Sequence, residues 1–155
     1  MALRTPPTGE AHVLQAVIAV LLTASGIATL VAMLRRRFVL ATVKGFSMAP
    51  TFRPGDRLLV RRTSLSRLKA GDIVVVVPDA RMAGPRPGTG YVIKRLAAVP
   101  GDPVPEHVPS PTSTQIPPGW MALLGDNPDA SRDSRDYGLV TQQQLVGVVV
   151  RAIGT

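Results

Sequence analysis

A chain of 155 residues has room for one domain of ordinary size. It contains no cysteine, which excludes a disulfide framework and any thiolate metal site, and nothing in it calls for a metal or a cofactor. The net charge of +8 comes from 15 Arg and 3 Lys against 10 acidic residues; the basic stretch over residues 53–69 has no interleaved aromatics on which bases could stack, which argues against nucleic acid as the partner.

In chain order, residues 1–12 are a polar lead and residues 13–34, "VLQAVIAVLLTASGIATLVAML", carry no charge at all. Twenty-two residues in a helix span about 33 Å, enough for a bilayer core of roughly 30 Å. A cleavable secretory signal has a shorter apolar region, about 7–15 residues, with its positive charge in front. Here Arg35, Arg36 and Arg37 follow the run. The segment is read as a retained transmembrane anchor, with anionic lipid headgroups as the partner of the arginines.

Beyond the arginines the texture is β. "FVLATVKG", "DRLLVRR", "DIVVVV", "YVIKRLAAV" and "QLVGVVVRAI" are short, β-branched runs of strand length. Gly-Asp pairs at 55–56, 71–72, 101–102 and 125–126 punctuate them as turns would. Residues 103–119 form a proline-rich connection. The expectation is one transmembrane helix followed by an all-β domain over residues 38–155.

Ser47, in "VKGFSMAPTFRPGD", stands between a glycine-bearing approach and a proline turn, as a nucleophile does. A serine needs a positioned base. Arginine cannot deprotonate; His12 lies at the anchor's edge, and His107 lies among prolines where a triad is hard to order. Of the lysines, Lys44 is too near Ser47 on one extended segment to fold back on it, and Lys69 sits in a polar turn. Lys94 differs. Period-2 alternation puts it with Val92 and Leu96 on one strand face, opposite Tyr91, Ile93 and Arg95. Burial on an apolar face lowers an amine's pKa, so that it can accept a proton near neutrality. A lysine that snorkels to solvent is the other reading of the same pattern.

Four blocks, "GFSMAPT", "GDIVVV", "KRLAAVPGD" and "GDNPDASRDSRDYG", occur in the order found in type I signal peptidases, membrane-anchored serine proteases of the Ser–Lys kind, and the chain resembles that family. The resemblance implies a signal-peptidase-like fold of antiparallel β-sheets. It implies Ser47 as nucleophile, Lys94 as general base, Ser131 as the hydroxyl orienting the amine, and Asp133 with Arg135 as a supporting ion pair with Arg95 close by. Val43, Met48, Phe52 and Ile93 fall where the family lines shallow apolar pockets for small P1 and P3 side chains. The Ser47 N–H would serve the oxyanion, whereas Gly45 supplies no hydroxyl at a position where some members carry one. Substrates would be signal-peptide-bearing precursors, cleaved outside the cytoplasm by a single-pass protein of the cell membrane. The positive-inside bias of Arg35–Arg37 points the other way, and the family orientation is taken as the expectation. A maturation protease dedicated to one precursor is the alternative within the family. An inactive, membrane-displayed β-domain binding lipid or a partner is the alternative outside it.

Overall fold

The computed structural model describes residues 8–82, 90–110 and 114–154, and divides at Arg37 into a helical unit and a β unit. Helix α1 runs from Thr8 to Arg37, longer at both ends than the apolar run, because nothing between the lead and the arginines breaks it. Its residues 12–37 are long and apolar enough to cross a membrane, and their side chains are exposed throughout. The hydroxyls of Thr23 and Thr29 donate back to carbonyls of the preceding turn (Ala19, Val20 and Ser25). These polar groups are thereby satisfied within the helix, as an apolar surrounding demands.

The second unit holds β1 (Phe38–Thr42), β2 (Arg57–Arg61), β3 (Ile73–Val76), β4 (Val92–Ala98), β5 (Trp120–Leu124), a single helical turn α2 (Ser134–Tyr137), β6 (Val140–Thr141) and β7 (Leu145–Ala152). The strands form one antiparallel sheet in the order β1-β2-β7-β3-β4-β5-β6. Five of the seven are the β-branched runs of the sequence. Trp120–Leu124, "WMALL", was not anticipated as a strand: Met, Ala and Leu carry no strand preference of their own, and only pairing with β4 makes them one.

Alternate residues of β3 and β4 enter different apolar clusters. Val75 and Ile93 pack with Val43, Met48, Leu58, Val60 and Val146; Val74, Val76 and Leu96 pack with Met121, Leu123 and Val140. Because successive strand residues point to opposite faces, the sheet is covered on both sides, which is why "IVVV" is continuously apolar. The proline-rich connection supplies part of the cover. Pro103 bridges to Gln115, and Val108 and Ile116 are buried against Ala98, Ala122 and Leu139.

Candidate active site

Ser47 lies just beyond β1, in a loop closed by Val43 N–H donating to the Asp56 carbonyl and Phe52 N–H donating to the Met48 carbonyl. Met48 anchors this loop in the core at 1% exposure. On the facing side, β4 carries Lys94, 4% exposed, opposite Val74 of β3. Both Ser47 and Lys94 line a cleft of about 270 Å³, together with Val43, Met48, Ile93, Gly45, Phe46 and Tyr91. Phe52 packs against the apolar cluster that holds Met48 and does not line the cleft.

The lysine amine is held by a chain of hydrogen bonds. Lys94 Nζ donates to Ser131 Oγ at 3.0 Å, and the Ser131 hydroxyl donates to Asp133 Oδ2 at 2.7 Å. A serine hydroxyl has one proton. Since that proton goes to Asp133, only lone pairs face Lys94, and the amine must be the donor. A neutral amine giving one N–H to Ser131 keeps its lone pair for another group in the cleft. Burial lowers the Lys94 pKa; Asp133 and Asp136 act against that shift and Arg135 with it.

Asp133 is fully buried and caps α2, accepting from the Arg135 N–H while Asp136 accepts from the Asp133 N–H. It also takes the Gly125 N–H at 2.8 Å and a two-pronged ion pair from Arg135, at 2.9 and 2.6 Å. Burial alone would raise its pKa. The Arg135 guanidinium, with the Gly125, Ser131 and Arg135 donors, outweighs burial and brings it to about 2. Asp133 is therefore a carboxylate at any working pH, fixed as an acceptor for Ser131.

Arg95, expected close by the Asp133–Arg135 pair, makes an ion pair of its own. It points to the other face of β4 from Lys94 and binds Asp126 through two hydrogen bonds of 2.8 and 2.6 Å, while also donating to the Gly71 carbonyl. Asp126 in turn accepts from the Thr51 hydroxyl, and the Asn127 N–H donates to the Ser47 carbonyl. Asp126 thus ties the Ser47 loop to the strand that carries Lys94. It was not singled out from sequence, because it belongs to the fourth of four look-alike Gly-Asp pairs. Asp56, Asp72 and Asp102 each accept a backbone N–H three residues upstream, as turn aspartates do. Asp126 spends its oxygens on Arg95 and Thr51 instead.

Among the described residues, the remaining candidate bases take no part in these hydrogen bonds. His107 and Lys69 are exposed and do not line the cleft; Lys44 lines it but is solvent-exposed. A larger cleft of about 480 Å³ beside Trp120 and Tyr137 contains Ser110 but no lysine or histidine. Gly45 has space around it and an unstrained backbone. Among the described residues, the Ser47 N–H donates to no backbone carbonyl.

Comparison with known proteins assigns the family. The family model described as "Signal peptidase, peptidase S26" matches residues 14–107 and 105–153. The chain is 30% identical to a probable signal peptidase I-1 of Synechocystis sp., with 78% of this chain and 74% of the relative covered. It is 29% identical to signal peptidase IB of Staphylococcus aureus, over 70% of this chain and 73% of that one. With nearly the whole β unit and most of the helix matched, the chain belongs to the signal peptidase family, peptidase S26, and is a serine endopeptidase of that family.

Proposed function

We propose that this protein removes signal peptides from secreted precursors, with Ser47 as the nucleophile and Lys94 as its general base. The observation that carries the reading is the amine itself: Lys94 is buried, held by Ser131 and placed in one cleft with Ser47. In the proposed reaction Lys94 takes the Ser47 proton as Oγ attacks the scissile carbonyl. The oxyanion is met by the Ser47 N–H, and the protonated amine gives its proton to the leaving nitrogen. Water, deprotonated by the same amine, then hydrolyses the acyl-enzyme and regenerates the hydroxyl. Val43, Met48 and Ile93 present apolar surface without charge in the cleft, which suits small P1 and P3 side chains.

The helix and the family fit a membrane-anchored protein. We place the β unit outside the cytoplasm, where the cleavage sites of exported precursors emerge. A protease and a substrate tethered to one bilayer meet at raised effective concentration.

The test is incubation of the full chain in detergent with a panel of secretory precursors, followed by N-terminal sequencing of the products. Cleavage after small residues by the wild type, absent from Ser47→Ala, is expected. Cleavage of a single member of the panel would identify a dedicated maturation protease. A product with a charged or aromatic P1 would overturn the assigned specificity.

A further inference from the structure

The rim of the cleft is charged in one sense. Besides the buried Lys94, its lining contains Lys44 and Arg132, both exposed, and no carboxylate. The nearby acidic groups are committed elsewhere: Asp126 to Arg95 and Thr51, Asp133 to Arg135, Ser131 and Gly125, and Asp136, which is exposed but outside the lining, to the Asp133 N–H. Asp129, exposed in the turn ahead of Ser131, lies outside the lining. Among the described residues, neither Lys44 nor Arg132 forms an ion pair. These two cations sit on opposite sides of the reacting groups in sequence, three residues before Ser47 and one residue after Ser131.

A peptide bound in extended form alternates its side chains, so that when P1 and P3 enter the apolar floor, P2 and P1′ point out toward the rim. We propose that Lys44 and Arg132 select precursors with an acidic side chain at P2 or P1′, adding a charge criterion to the small-residue criterion of the floor. The selection rests on the reading of this cleft as the peptide-binding site. It is electrostatic and exposed, so it is worth a modest factor for each pair and is screened once the Debye length falls below about 8–10 Å.

The experiment uses the full chain in a nonionic detergent and matched peptides with Ala at P1 and P3. One series carries Asp, Asn or Lys at P2, and a second carries them at P1′. In at least one series kcat/KM should fall in the order Asp, Asn, Lys, with an overall span on the order of three- to tenfold. The span should shrink in about 0.5 M salt. In the Lys44→Glu, Arg132→Glu double variant the order should reverse, and in the Lys44→Gln, Arg132→Gln variant it should level. Equal cleavage of all three peptides by the wild type in both series would overturn the charge criterion while leaving the protease reading intact. No cleavage of any peptide would overturn both. Equal cleavage accompanied by acceleration with phosphatidylglycerol vesicles, lost in the double variant, would assign the cations to lipid headgroups and likewise overturn the proposal.

Discussion

Lys94 can be held uncharged because its environment disfavours the ammonium more than the nearby carboxylates favour it. Burial lowers its pKa while Asp133 and Asp136 pull the other way. If the neutral amine is the base, as proposed, kcat/KM should rise with pH through an apparent pKa below the roughly 10.4 of free lysine. A pH–rate profile on a fixed peptide checks this; activity that falls as pH rises through neutrality would contradict it. Gly45 gives a second test. Its backbone is unstrained and a Cβ there meets nothing within 4 Å. Gly45→Ser should therefore fold, and its turnover should rise or stay level, since a well-placed oxyanion donor is worth about 3 kcal/mol. A folded variant with severely reduced turnover would contradict that expectation. Ser47 and Lys94 were candidates from residue type and strand alternation, which left a snorkelling lysine open, and only the family resemblance gave them roles; the structure puts both in one cleft. Asp126 was not a candidate, because its partners Arg95 and Thr51 lie 31 and 75 residues away.

The elements around the site are held together at Gly125. Three of the four Gly-Asp glycines, Gly55, Gly71 and Gly101, have positive φ and make turns. Gly125 does not, and its reason is space. A Cβ there would lie 2.1 Å from Ser131 Oγ and 2.7 Å from the Ser47 carbonyl. Gly125→Ala should therefore cost about 1–3 kcal/mol of stability through overpacking and displace Ser131 and the Ser47 loop. A displacement of about 1 Å at such groups can cost on the order of 100-fold in rate. Gly101→Ala is the control: φ is +92°, nothing crowds the site, and stability should fall by about 1–2 kcal/mol while turnover is kept. Measuring melting temperature and kcat/KM for both separates the two roles, and equal turnover in the two variants would sink the distinction. The strands rich in Val and Ile announced themselves in sequence. Strand β5 and the single turn α2 did not, since one depends on pairing with β4 and the other on the Asp133 cap.

At the scale of the whole molecule, the sequence read correctly as one apolar helix and one antiparallel β unit, because hydrophobic period and turn chemistry agree along nearly the whole length. Two demands compete over the side of the membrane on which we place the β unit. Arg35–Arg37 follow the helix and favour a cytoplasmic β unit, whereas the proposed substrates require it outside. We expect external protease added to intact, right-side-out vesicles to degrade the β unit. Complete protection, with degradation only after detergent, would reverse the orientation and remove the proposed access to emerging precursors.

The central claim is that a neutral Lys94 amine takes the Ser47 proton. Lys94→Arg keeps a cation of similar reach but cannot deprotonate. Turnover of a secretory precursor by Lys94→Arg, with circular dichroism establishing that the variant folds, is the most direct measurement. The account predicts activity as low as that of Ser47→Ala. Near-wild-type turnover by folded Lys94→Arg would contradict it, and the proton would have to leave by another group.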